Sequence, residues 1–432
     1  MAKRHGSGAA DLEGLFLRLE ELVLANSAED AFEVVFKLLV AKLWDERSGC
    51  ACRFKIHPTP DETYHAIELL LREADQVWPG VMERPLSLPL LPAHLVVCAQ
   101  PLVQVSLTET SLEVMDALFE YLVAKAAKGA KGQYFTPRHV VEFCVRVLDP
   151  QPGETVLDPA CGSGGFLFHA LNHVREQHHL SRKAAREYAG KRLWGFDFDA
   201  RAARVARALL VFAGADTANI CRLNSLLRPA MAGLLRPSTV EQSLTIEDVS
   251  RTQLRRHKGY DVILTNPPFA GEVKESEYIN GYDLAQNSKK IERDVLFVER
   301  CLGLLRPGGR MAIVLPDNKF SARAYEYVRV WLLKRTRILG AVGLARPTFL
   351  PHTHQKASIL FLQKLDGEVA QDQNIFFAIS ERAGKNSRGQ PLLRAGSTPE
   401  QPAWMRLDHD LEEIAVAFKA FFKTESVQFG GG

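Results

Sequence analysis

The chain has 432 residues, 46% of them hydrophobic and 24% charged, with a formal net charge of +3. That length provides for two or three domains with a sizeable core, and the composition is ordinary for a soluble globular protein. No stretch approaches the roughly 20 apolar residues of a membrane span, Asp11 and Glu13 interrupt any signal peptide, and the charge is low for a protein that grips nucleic acid unaided; a cytoplasmic chain with no membrane contact is expected.

In chain order, the first 130 residues read as mainly helical. Leu15, Leu17, Leu19, Leu22 and Leu24 crowd one helix. Ser27-Ala28-Glu29-Asp30 has the form of a capping box opening a second, with Phe32, Val35, Phe36, Leu39 and Leu43 at spacings of three and four. A third helix is expected over 62–77, and the proline-rich stretch 79–101 is expected to be irregular. A fourth helix is expected over 112–127, followed by a basic hinge, Lys128-Gly129-Ala130-Lys131-Gly132. After the hinge, short apolar runs alternate with helical stretches. Strands are expected near 155–157, 193–196, 220–223, 261–264, 310–315, 338–342 and 357–363, with helices near 166–176, 200–213, 294–305 and 322–334. This alternation predicts an open, mainly parallel α/β sheet, whose ligands bind beyond the carboxyl ends of the strands. The chain then divides as 1–130, 131–365 and 366–432, the last a polar loop plus an amphipathic helix over 407–423 bearing Leu411, Ile414, Phe418, Phe421 and Phe422. Such a face either folds back on the core or docks against a partner's helix; with the low net charge, docking on a partner is expected.

The first expected strand runs into Asp158-Pro159-Ala160-Cys161-Gly162-Ser163-Gly164-Gly165-Phe166. Glycines here let the backbone approach a ligand and adopt positive φ. A phosphate loop would need a closing Gly-Lys-Ser/Thr, and a dinucleotide fingerprint a wider glycine spacing. An acid ahead of the loop repels pyrophosphate but suits the ammonium of S-adenosylmethionine. Asp197, ending the second strand, is placed to accept from ribose hydroxyls, or else to cap the helix after it. Its distance from Asp158 calls for one long helix between them. At the third strand, Asn224 and Ser225 offer contacts for the cofactor adenine, with a plain turn as the alternative.

The buried run ending at Thr265 leads into Asn266-Pro267-Pro268-Phe269. Two prolines after a central strand donate no N–H and fix a rigid turn. The Asn266 side-chain oxygen and the Pro267 carbonyl can then both accept from one planar NH2 group. Two acceptors favour a pyramidal nitrogen and free its lone pair for attack on a sulfonium methyl. Phe269 offers a stacking face for a flipped base, worth ~1–3 kcal/mol against the few kcal/mol of extrusion.

These strings resemble the N6-adenine DNA methyltransferases, and in particular the modification subunits of type I restriction-modification systems, most closely over 132–364. The resemblance implies a Rossmann-like class I methyltransferase fold: a mainly parallel sheet with a terminal antiparallel hairpin, preceded by a helical DNA-clamping domain. It adds Gln133, Tyr134, Phe135 and Thr136 to the cofactor contacts, beside Asp158, Ala160, Gly162, Ser163, Gly164, Asp197, Asn224 and Ser225, and it puts Phe349 in the target-base pocket. It implies double-stranded DNA as substrate, a separate specificity subunit, and room for a restriction or translocase subunit, since the stretch after Lys364 is too short for a target-recognition domain. Two departures stand out: Asn224 where aspartate is common, and the polar Asp317-Asn318-Lys319-Phe320 after Pro316 where a glycine-leucine type of run is usual.

Two other functions remain open at this point: methylation of another planar amine, in a protein glutamine or an RNA base, and a non-catalytic scaffold of the same fold. The seven cysteines lack framework or zinc spacing and read as reduced thiols. His178, His179, His352 and His354 read as solvated, so no metal site is expected. The basic run from Arg251 to Lys258 reads equally as a phosphate contact or a solvated face, and the polar segment 271–293 reads as a mobile loop.

Overall fold

The structure, a computed structural model, describes residues 18–19, 21–23, 31–49, 52–108, 136–215, 219–228, 259–274, 279, 281–285, 288–367, 374–398, 401 and 404–425. Leu15, Leu17 and Leu24, the box at 27–30, the helix expected over 112–127, the hinge at 128–132, Gln133, Tyr134, Phe135 and the basic run 251–258 lie outside the described residues.

Helix α1 (Ala31–Arg47) is buried on nearly every side, Val34, Leu38 and Val40 included, so its expected single apolar stripe understates its burial. Helix α2 (Pro60–Val77) opens on a capping box that the sequence reading missed: Thr59 Oγ1 accepts from Glu62 N at 3.3 Å, and Glu62 Oε2 accepts from Thr59 N at 3.2 Å. The stretch expected to be irregular contains helix α3 (Pro92–Val103). Pro92 occupies the first turn, where its missing N–H costs nothing, and Leu95, Cys98, Ala99 and Leu102 form the buried face.

Then follow α4 (Arg138–Leu148), β1 (Val156–Asp158), α5 (Gly165–Gln177), α6 (Arg182–Arg192), β2 (Leu193–Asp197), α7 (Ala200–Phe212), β3 (Asn219–Arg222) and β4 (Tyr260–Thr265). The interval between Asp158 and Asp197 thus holds two helices rather than one long one. His179, at positive φ, turns the chain after α5, and Ser181 caps α6 through Ala184 N. A short ladder, β5 (Glu272–Val273) with β6 (Ile291–Glu292), precedes α8 (Arg293–Leu304), β7 (Leu305–Pro316), α9 (Glu326–Leu333), β8 (Thr336–Gly343), β9 (Ala357–Lys364), β10 (Phe376–Ile379) and α10 (Leu411–Thr424).

The main sheet has eight strands in the order β10-β8-β9-β7-β4-β1-β2-β3, parallel except for β9, which runs antiparallel between β7 and β8. This is the expected α/β methyltransferase architecture. The edge strand β10 was not expected. It is short, and two of its four residues, Phe377 and Ile379, are exposed, so it lacks a continuous apolar run.

The N-terminal helices are not separate from the sheet. Their core is continuous with the outer face of α7 through Val205, Ala208, Leu209 and Phe212. Arg47 donates to the last carbonyls of α7, Val211 at 2.6 Å and Phe212 at 2.7 Å, and Arg204 meets Glu33 at 2.5 Å.

The apolar face of α10, expected to dock on a partner, is spent within the chain. Phe418 is fully buried, with ring centroids 4.3 Å from Phe376 and 5.1 Å from Phe361. Gly340 in β8 makes the seat, since a Cβ there would come within 2.4 Å of the Phe418 ring. Phe418→Ala should therefore cost about 3–5 kcal/mol of unfolding free energy, read as a lowered denaturant midpoint with α10 detaching from β8 and β10.

Candidate active site

The glycine loop between β1 and α5 is shaped by its own backbone. Gly162 and Gly164 have φ of 52° and 87°, a region that side chains rarely adopt. A Cβ on Gly164 would press on Ala206 of α7 at 3.0 Å, whereas one on Gly162 would meet nothing within 4 Å. The loop is thus packed from below and open above Gly162, where a bound group can lie against bare backbone. Gly165 is held for another reason: the Arg138 guanidinium crosses it, within 1.9 Å of where a Cβ would sit.

Two carboxylates hold this loop. Asp158 is 1% exposed and accepts from Ala160 N at 3.1 Å. Asp197 accepts from Gly162 N at 2.9 Å and from Asp199 N at 2.8 Å. The helix-cap role weighed for Asp197 falls instead to Asp199, which accepts from Ala202 N at 2.9 Å. Burial pushes the Asp158 carboxyl up to about 7, helped by the nearby Asp197 and opposed by its hydrogen bonds; burial also raises Asp197 to about 6. Among the described residues neither is ion-paired with a cation. A cation bound at the loop would favour both ionised forms.

At the third strand, Asn224 Oδ1 accepts from Leu226 N at 3.1 Å, the usual Asn turn, so the oxygen expected to meet the cofactor adenine is engaged locally. Ser225 donates to Pro159 O at 2.5 Å and is buried, tying this turn to the glycine loop rather than facing a ligand. Ser163 is buried as well. Phe198, overlooked in the sequence, is 68% exposed immediately after Asp197. An aromatic ring left in water beside the loop provides the face a purine needs; nothing in its spacing signals this.

The Asn266–Phe269 turn, the candidate for catalysis, follows β4. Asn266 Nδ2 donates to Thr136 Oγ1 at 2.9 Å, which assigns the amide nitrogen to Thr136 and the oxygen to the acceptor role. Thr265 Oγ1 donates to Asp158 Oδ1 at 2.8 Å in a fully buried contact. Thr136, Asp158 and Asn266 thus converge from three parts of the sequence, and Thr265 joins them without having been foreseen. Phe269 is half-buried and meets Phe349 edge-on, centroids 5.8 Å apart at 68°. Phe349 is 2% exposed, so it backs Phe269 rather than presenting a face of its own. Lys385 pins the Phe349 turn by donating to Thr348 O and Leu350 O.

The segment expected to be a mobile loop is anchored where it is described. Its ends pair as β5 and β6, Glu299 accepts from Asp283 N and Leu284 N, and Tyr282 donates to Leu226 O at 2.7 Å. His178, His179, His352 and His354 are exposed, and no group of three metal-ligating side chains occurs among the described residues. No described helix is long and apolar enough to cross a membrane.

A family model described as N-6 DNA Methylase matches residues 110–419. The chain belongs to this family. Among curated relatives, the EcoEI methylase subunit of a type I restriction enzyme from Escherichia coli is 29% identical over 237 residues, covering 55% of this chain and 43% of that protein. The type II methyltransferase M.VspI from Vibrio sp. (strain 343) is 23% identical, covering 61% and 55%. The chain thus spans about half the length of these relatives. Among solved structures, the methyltransferase subunit of a type I restriction-modification system from Streptococcus thermophilus superposes with a TM-score of 0.61 at 13% identity, covering 96% of this chain and 94% of that one, a likeness of fold. Family membership implies S-adenosylmethionine as methyl donor. The open glycine loop, the two acids with no cation paired to them among the described residues, and the exposed Phe198 fit its ammonium, sulfonium and purine.

The two raised carboxyls give this fit a pH signature. A carboxyl whose folded pKa lies above its ordinary 3.8 favours the ligand-free fold below that value and disfavours it as pH rises toward the folded pKa. A cationic ligand needs the ionised forms, so S-adenosylmethionine affinity should climb between about pH 5 and 8 as the two groups, at about 6 and 7, lose their protons. Calorimetric titration across that range checks this, and Asp158→Asn should flatten the upper part of the rise.

Proposed function

We propose that this chain transfers the methyl group of S-adenosylmethionine to the N6 amine of an adenine flipped out of DNA, as the modification subunit of a type I-like restriction-modification system. The observation that carries this reading is the Asn266 turn, held by Thr136 on one side and, through Thr265, by Asp158 on the other. Membership of a DNA methylase family and relatives named as type I methylase subunits favour DNA over a protein glutamine or an RNA base. The intact Asn266–Phe269 turn argues against a non-catalytic scaffold.

Asp158 and Asp197 would hold the cofactor's ammonium and ribose, Phe198 its purine, and the backbone at Gly162 its methionine stem. When bound, the cofactor supplies an electrophilic methyl on a sulfonium. The rest falls to the chain. The Asn266 oxygen and the Pro267 carbonyl take the two hydrogens of the adenine amine and turn its lone pair toward the cofactor side of the turn. Pro267 and Pro268 keep those acceptors rigid, since neither has a backbone N–H to be drawn elsewhere. Phe269, braced by Phe349, stacks on the base. No residue need act as a strong base, because the amine becomes acidic only after it has gained the methyl group.

Sequence selection would come from a separate specificity subunit, with two copies of this chain around it, and restriction from a further subunit. The low net charge of +3 accords with a DNA grip that is shared.

Asn266→Ala should abolish methyl transfer to DNA, followed with tritiated cofactor, while leaving cofactor affinity within about two-fold. Asp158→Ala should do the opposite, weakening cofactor binding by roughly 1.5–3 kcal/mol, the worth of a hydrogen bond to a charged group. The purified chain alone should bind DNA weakly, with a steep salt dependence and little sequence preference; efficient site-specific methylation by the isolated chain at physiological salt would refute the need for a partner.

A further inference from the structure

The polar run Asp317-Asn318-Lys319-Phe320 after Pro316 has a defined place in the structure. Lys319 is 6% exposed, unusual for a lysine. Its ammonium lies 2.5 Å from Glu292 Oε2 and 3.4 Å from Asp294 Oδ2, and 3.8 Å from the centre of the Tyr325 ring. Tyr325 in turn donates to Glu292 Oε1 at 2.8 Å. Burial alone would lower the Lys319 pKa, but Glu292, Asp294 and Tyr325 together raise it, so the side chain stays charged. Arg329 fixes the backbone here by donating to Lys319 O at 3.1 Å and Ala322 O at 2.9 Å. Asp317, at the start of the run, accepts from Ser358 Oγ at 2.7 Å and so joins it to β9.

The partners of Lys319 sit at the neck of the segment that leaves the catalytic turn. Gly271 lies two residues beyond Phe269 and accepts from Arg293 N at 3.1 Å, and Glu292 pairs with Glu272 across β5 and β6. Strand β7 lies directly beside β4, with Ile313 opposite Thr265. The loop after β7 and the returning arm of the segment after Phe269 therefore meet at Lys319.

We infer that Lys319 is a positioning residue for the target base: its ammonium, closed in by Glu292, Asp294 and Tyr325, clamps the neck of the 271–293 segment to the loop after β7 and so fixes the start of that segment behind Phe269. The inference rests on the proposed methylation of a flipped adenine. Lys319 touches neither cofactor nor base; it acts through the backbone on which Phe269 stands. A glycine-leucine type of run at this place would supply no ammonium for Glu292 and Asp294.

Two readouts test it on the full chain. In Lys319→Met, hydrogen exchange across 288–296 should accelerate at least ten-fold, with exchange in β1, β4 and the glycine loop unchanged. Methyl transfer to adenine, scored by long-read sequencing of DNA from cells that express the variant with its genomic neighbours, should fall at least ten-fold, while S-adenosylmethionine affinity of the purified chain stays within two-fold. Because Lys319→Met leaves acids uncompensated, the triple variant Lys319→Met, Glu292→Gln, Asp294→Asn is measured as well. It removes that burden, and should still lose transfer and neck protection. Unchanged exchange in the triple variant would overturn the clamp. Faster exchange with full methylation would overturn the positioning role. Wild-type chain that puts no methyl on DNA adenine would refute the functional reading instead, and exchange alone would then decide the clamp.

Discussion

A hydrogen bond between the Thr265 hydroxyl and the Asp158 carboxylate ties the carboxyl ends of β4 and β1 together in the middle of the sheet. Asp158 shapes the glycine loop through Ala160 N, and Thr265 is the last residue before Asn266. Both groups are shut off from water, so the bond has no solvent competitor and neither partner can relax without leaving a buried polar atom unmet. The glycine loop and the Asn266 turn are thereby set at one distance by the pairing of two adjacent parallel strands. Thr136 reinforces this from outside the sheet, since it reaches Asn266 from the segment that leads into α4. In-line transfer demands such fixed placement, because a group displaced by an ångström loses most of the benefit of proximity.

The charges around the site are arranged in two contrasting ways. At the glycine loop, Asp158 and Asp197 are buried near one another with no cation paired to either among the described residues, an arrangement that favours a positively charged ligand. At Arg310, by contrast, buried charge is neutralised on the spot. Arg310 is 1% exposed yet fully engaged, with Glu154 at 2.6 Å and the carbonyls of Leu148 and Asp149 at 2.6 and 2.9 Å, so the end of α4 is bolted to β7. A pair of that kind fixes geometry, and loss of either partner would strand the other. The contrast separates the part of the molecule that holds a ligand from the part that holds itself.

Much of this was legible in the sequence because strands that end at a site carry their chemistry in contiguous strings. Asp158 to Phe166 and Asn266 to Phe269 each mark a strand end, a turn and a role at once, and the seven expected strands all form. What escaped were contacts between strings. Thr265 is an ordinary β-branched residue on a strand, and only its partner across the sheet gives its hydroxyl a purpose. Gln133, Tyr134 and Phe135 lie outside the described residues, so their cofactor role is a matter of resemblance alone. Prolines misled at 92–103, because Pro92 reads as a breaker until Leu95, Cys98, Ala99 and Leu102 are seen as one face. The single apolar face of α10 does not say what covers it; Gly340, far away in β8, does. For Asn224 and Ser225 the sequence left a ligand contact and a plain turn open, because turn-forming and ligand-binding polar residues look alike until their partners are known; both make bonds that shape the turn.

The seat of Phe418 on Gly340 also bears on how such chains could be recombined. Helix α10 packs on the sheet at β8 and β10, and Lys385, well past the last strand of the hairpin, holds the turn that carries Phe349. The boundary near residue 365 is therefore a change in sequence texture and not a joint in the molecule. A chimera spliced there would pair a foreign helix with this glycine and a foreign lysine with this aromatic turn, and would disturb the packing behind Phe269 while the strings at 158–166 and 266–269 remained intact.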